Sequence, residues 1–131
     1  MGAWGPGNFQ NDDALDWVGD LTDAKDGWAV IRATLADVID AEYAEAPECC
    51  NALAAAECIA LCRKKPPASA SPDAVSWSAA HGGELKDMDR SLALQAVQRI
   101  RKDSELKELW EESGDADWDD IVADLERRLS T

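Results

Sequence analysis

The sequence predicts an all-α fold: a compact single-domain array of about six or seven helices behind an irregular, glycine-rich N-terminal segment. Three observations carry that expectation. Apolar residues recur at three- and four-residue steps along most of the chain, the period of an amphipathic helix. Proline and most glycines fall between those periodic stretches. No stretch alternates apolar and polar residues as a half-buried strand does, and no internal repeat is visible.

The elements follow in order. Residues 1–10 form an irregular segment, and Gly2 to Gly7 cannot be helical, because Pro6 stands among Gly2, Gly5 and Gly7. Asn8 or Asn11 caps a first helix, and Asp12 and Asp13 suit its positive N-terminal end. That helix runs to about Leu21, with Ala14, Leu15, Val18 and Leu21 facing in and Asp13, Asp16 and Asp20 facing out. Phe9 stands where it can staple back onto the first turn. A second helix spans about Asp23 to Ala46, marked by Trp28, Ile31, Leu35, Val38 and Ile39; Pro47 ends it or opens the next. From Cys49 to Cys62 only Asn51 and Glu57 are polar, which marks a third, buried helix of small residues. The Pro/Ser-rich stretch Pro66–Asp73 is an internal loop. A short helix from about Asp73 to Ala80 stops at His81-Gly82-Gly83. Met88, Leu92, Ala96, Val97 and Ile100 mark another, and Asp103-Ser104 caps one bearing Leu106, Leu109 and Trp110. Gly114 breaks the pattern. Asp117 then caps a last helix striped by Trp118, Ile121, Val122, Leu125 and Leu129.

Charge is unevenly spread. The net charge is −14, with 11 acids against 2 bases over residues 1–48, 5 against 8 over 49–102, and 11 against 3 over 103–131. Acidic ends therefore flank a mildly basic middle and are expected to pack around it, with Arg63, Lys64 and Lys65 facing acidic neighbours. Such a field repels phosphates, so nucleic acid is disfavoured and basic protein partners or metal cations are the compatible ligands. No basic segment leads into an apolar run, and no stretch approaches the ~20 apolar residues of a membrane span. Met1-Gly2 resembles a myristoylation start, but Pro6 stands where Ser or Thr is needed. The expected location is the cytoplasm, with no membrane association.

Residues with chemical potential are few. Asp115, Asp117, Asp119 and Glu126 have the spacing of calcium-loop ligands, but Asp120 replaces the glycine that such a loop needs, and the apolar stripe demands helix there. An acidic helix start is the better account. Cys49, Cys50, Cys58 and Cys62 contain no CxxC pair, so four free buried thiols are expected, with no metal and no cofactor. His81 is the only histidine, which leaves nucleophilic catalysis weakly signalled and no catalytic residue to name. Glu57 stands out: Leu53 and Leu61 lie one turn either side of it on an apolar helix. A buried carboxylate needs a partner, and Arg32 is one candidate. Glu57 is thus either a structural ion-pair member or set in a locally exposed groove, the preferred account, or a raised-pKa acid in a pocket.

The opening "GAWGPGNFQNDDALDWVGDL" resembles the start of a bacterial family catalogued as domain of unknown function 4259: Gly2, Trp4, Gly5, Gly7 and Phe9, then Asn11, Asp12, Asp13 and Ala14. The segments "ALAAAECIAL" and "DSELKELWEESGDADWDDIVADLERRL" are similar as well, and Gln10 departs from an acidic position. The resemblance implies a single-domain bacterial protein and assigns it neither an activity nor catalytic residues. Two functions are therefore carried. One is a non-catalytic interaction module, antitoxin-, immunity- or adaptor-like, with Trp4 and the loop at Glu111, Glu112 and Asp115 as contact candidates. The other is a small-ligand protein or enzyme using Glu57 with Asn11, Asp12 and Asp13. Trp4 and Phe9 are expected to be at least half buried, the alternative being an exposed partner-binding hook.

Overall fold

In the computed structural model, which describes residues 3–131, seven helices follow one another. They are α1 (Asp12–Asp23), α2 (Gly27–Asp40), α3 (Ala46–Cys62), α4 (Pro72–His81), α5 (Asp87–Lys102), α6 (Glu105–Ser113) and α7 (Asp117–Ser130), with a 3₁₀ turn at Gly82–Glu84. Among the described residues there is no strand, only an isolated bridge between Ala3 and Asn11. No helix among them is long and apolar enough to cross a membrane.

Side-chain caps set most helix starts. Asn11 Oδ1 accepts the Ala14 N–H at 2.8 Å, Asp26 Oδ1 that of Ala29 at 3.1 Å, and Ser104 Oγ that of Lys107 at 3.1 Å. The Asp26 cap shortens the second helix relative to expectation, because it starts α2 at Gly27, and extended backbone at Ala41 stops it at Asp40. Asp117 does not cap α7 as expected. It is the first helical residue, and its N–H is taken by Asp115 Oδ1 at 2.8 Å. Gly114 ends α6 in the left-handed region at φ 77°.

Helix α3 is the hub, in contact with all six other helices. Its alanines and cysteines are buried on nearly every side, and small side chains let the neighbouring helices approach closely. Cys49, Cys50 and Cys58 are buried free thiols, and Cys62 is half-buried. Burial pushes Cys49 up to about 11 and Cys50 to about 12, and raises Cys58 and Cys62 as well, so none carries thiolate at neutral pH.

Three expected core positions face solvent instead. Leu15, Met88 and Leu109 are exposed, while Trp17 takes the inward place on α1 and donates Nε1–H to Thr34 Oγ1 at 2.9 Å. The N–H of a buried tryptophan usually finds an acceptor, and for Trp17 α2 provides one. Trp28 does the same, donating to the His81 carbonyl at 3.1 Å. Its ring meets Trp77, on which His81 stacks with centroids 4.7 Å apart. That stack decides the residue at the start of α2. A methyl group at Gly27 would lie 2.6 Å from the Trp77 ring. Gly27→Ala is therefore expected to destabilise by about 1–3 kcal/mol through overpacking, read as a lower urea midpoint with unchanged slope. Equal or higher stability would show that Trp77 yields freely.

Candidate functional site

The glycine-rich opening forms a closed arch over residues 3–11. The Trp4 N–H donates to the Gln10 carbonyl at 3.1 Å, the Gln10 N–H to the Gly7 carbonyl at 3.0 Å, and the Gly7 N–H to Gln10 Oε1 at 2.9 Å. The Gln10 side chain thus fills the inside of the arch. A methyl group at Gly7 would lie 2.7 Å from its Oε1, and one at Gly5 closer still. The two glycines are the space into which Gln10 folds. Phe9 is buried, as expected. Trp4 is not: it is 59% exposed, the reverse of the expectation. The physical reason is the arch itself. Its backbone bonds are met internally by Gln10, so Trp4 is not needed to pin the segment down. The arch rests against Trp110, Trp118 and Leu106, which with Ala3 and Gly5 enclose a small void beneath it.

A groove opens on one side of the arch, between α6 and α7. It measures about 390 Å³, and its walls include Trp110, Glu111, Asp115 and Asp120. Glu111 pairs with Lys107. Glu112 is exposed on the same helix, and Trp110 is half-buried. Trp118 also lines the groove, but it is buried in the core. Asp119 pairs with Arg101 at 3.0 Å and Glu126 with the same guanidinium at 3.6 Å, so these two acids of the calcium-like spacing serve a staple between α5 and α7. Among the described residues no group of three or more acidic, cysteine or histidine side chains could hold a metal ion.

A cleft of about 430 Å³ opens on the other side, between the arch, the loop at Pro67–Ser69 and α7. Glu57 lies at its floor with a side chain wholly out of contact with solvent. Its partner is Arg128, not Arg32. Arg128 Nη1 donates to Glu57 Oε1 at 2.7 Å and Nη2 to Oε2 at 2.9 Å, a two-pronged pair. Asn8 Nδ2 donates to Oε2 at 2.8 Å. Arg128 also donates Nε–H to Asp124 Oδ2 at 2.7 Å and Nη1–H to the Lys65 carbonyl at 3.1 Å. Burial would lower the Arg128 pKa, but the bonds and charges of Glu57 and Asp124 outweigh it and hold the guanidinium above its ordinary value. Arg32 instead crosses from α2 to Asp89 on α5, at 2.7 Å.

The remaining sequence candidates sit apart from this cleft. Asn11 caps α1, Asp12 is exposed and Asp13 half-buried in its first turn, and none of the three lines the Glu57 cleft. His81 Nδ1 meets Glu84 at 3.2 Å near the surface. Arg63 was expected to face acids, but it donates to the carbonyls of Arg128 and Leu129 at the negative end of α7. Lys65 reaches Thr131 Oγ1. Sequence reasoning missed Asn8 and Arg128 as partners of Glu57. Arg128 carries only the signal of a basic residue in a last helical turn, and the contact spans 71 positions.

Residues 2–120 match the family described as "Domain of unknown function (DUF4259)". The chain belongs to that family. The DUF4259 match takes in the arch, Asn8 and Glu57, and stops short of Asp124 and Arg128. No curated protein and no solved structure matches the chain.

Proposed function

We propose that this DUF4259 protein is a cytoplasmic, non-catalytic docking module, antitoxin-, immunity- or adaptor-like in kind, that binds a protein surface rich in Lys and Arg. The observation that carries this reading is Trp4, 59% exposed on an arch braced by three hydrogen bonds to and from Gln10. An indole held ready in water is the kind of side chain that anchors interfaces. The arch abuts the two tryptophans that line the acidic α6–α7 groove. An aromatic anchor together with the acids Glu111, Glu112, Asp115 and Asp120 favours a cationic partner and fast, salt-sensitive association.

The test begins with capture of partners from the native host, identified by mass spectrometry. Trp4→Ala is expected to leave the melting temperature within about 2 °C, because the side chain buries little. It is expected to weaken the captured complex about thirtyfold, the loss typical of an anchor residue. Charge reversal of Glu111, Glu112 and Asp115 is expected to slow association. A partner that binds Trp4→Ala as tightly as the parent, and is indifferent to salt, would remove the reading.

A further inference from the structure

We infer that the cleft beside Glu57 is a binding site for an alkylguanidinium group. Its charge is the first ground. Arg128 is already matched by Glu57 through two hydrogen bonds, and four of its five N–H groups are engaged. The guanidinium is therefore not free to receive an anion. Asp124 is shared between Arg127 and Arg128, and Asp120 forms no ion pair among the described residues. Arg127 and Arg128 offset Glu57 and Asp124, which leaves Asp120 as the carboxylate of the lining without an ion pair, so a cation is the occupant it favours.

Shape and hydrogen bonding narrow the class. About 430 Å³ suits a side-chain-sized organic group rather than a bare ion. Pro67, Ala68 and Ile121 supply apolar wall, against which a weakly hydrated planar cation loses less than an ammonium does. Asn8, only 6% exposed on the arch side, has its amide oriented by Glu57, and its Oδ1 has no donor among the described residues. A buried acceptor without a donor is unfavourable, and a ligand N–H relieves it. Arg128 shows that Glu57 and Asp124 already hold one guanidinium in this place. The inferred occupant is a second, reaching Asp120 from the open side. The group could be a free small molecule or an arginine side chain of a partner.

The inference does not rest on the docking reading, because Trp4 does not line this cleft. The experiment is an NMR titration of the ¹⁵N-labelled chain with butylguanidinium chloride, with the neutral isostere butylurea alongside, at constant ionic strength. Saturating amide shifts are expected at Gly7, Asn8, Gln10, Asp120 and Ile121 with the cation and not with butylurea. Asp120→Asn is expected to weaken binding roughly five- to tenfold, since one nearby opposite charge is lost. Ala68→Arg, at an exposed loop position, is expected to abolish it by supplying a guanidinium in place. Trp4→Ala, which disables docking, is expected to leave this binding unchanged. A blocked Gly-Arg-Gly peptide that binds more tightly than butylguanidinium assigns the group to a partner's arginine; a weaker peptide assigns it to a free molecule. Equal binding of butylurea, shifts centred on Trp110 to Asp115, or insensitivity to both Asp120→Asn and Ala68→Arg would overturn the inference.

Discussion

Replacing Arg128 with alanine is expected to lower stability by about 3–5 kcal/mol, the cost of leaving a buried charge without its partner. Glu57 is wholly buried and the Arg128 side chain is 11% exposed, so water cannot take the guanidinium's place without opening the floor of the cleft. The variant also frees the Lys65 carbonyl and one oxygen of Asp124. For a chain of this length such a loss lowers the melting temperature by roughly 10–15 °C. Glu57→Ala is expected to fall by a comparable amount, because it strands Arg128 and Asn8 Nδ2 instead. A double-mutant cycle isolates the pair: Arg128→Met with Glu57→Gln should recover much of the loss, since two neutral groups replace one orphaned charge. Additive losses in that cycle would mean that the pair is not coupled and that the cleft floor is wet.

The second large effect lies across the molecule, at Arg32 and Asp89. The Asp89 side chain has no exposure, and it accepts from Arg32 Nε at 2.7 Å, from Arg32 Nη2 at 3.1 Å and from the Lys86 N–H at 2.9 Å. Burial pushes this carboxyl up, but the bonds from Arg32 and Lys86 outweigh it and hold it below the usual carboxylate range. A depressed carboxyl contributes stability that is complete above its unfolded value, about 3.9, and is lost as the pH falls through the folded value. Arg32→Ala removes the main depressing contact. With Arg32 partly exposed at 30%, the expected loss at pH 7 is about 2–4 kcal/mol rather than the full cost of a sealed pair. Because Asp89 in the variant is pushed up by burial, it protonates early in acid and the penalty shrinks. Urea unfolding of both proteins from pH 7 to pH 3 should show the gap starting to narrow above about pH 4, where the raised carboxyl of the variant protonates, and closing further as the pH falls toward the depressed value of the parent. A gap that stays constant across that range would mean that Asp89 is not the group being stranded.

Much of the fold was legible in the sequence because its signals are local. Asn11 and Ser104 announce helix starts through hydrogen bonds that span three residues, and Gly114 ends a helix through its own φ. The apolar monotony of Cys49–Ile59 marks a buried hub because a helix without a polar face has nowhere else to go. The misassigned faces were those where two periodic solutions compete. Leu15 and Trp17 both lie near the inner stripe of α1, and the Thr34 hydroxyl on α2 decides between them.

Glu57 divides the local information from the rest. Its sequence neighbours alone determined that it is a buried carboxylate in need of a cation. They could not say which cation, because Arg32 and Arg128 are equally silent about distance. The tertiary structure decided it: α7 packs against α5 and α3, bringing Arg128 over Glu57, while α2 turns Arg32 toward Asp89. The exposure of Trp4 was decided in the same way, by a side chain, Gln10, that satisfies the arch from within. Helix caps and stripes act over one or two turns and so are written in the sequence. Ion-pair partners and cleft walls depend on where whole helices come to rest, which is set by the packing of the entire core.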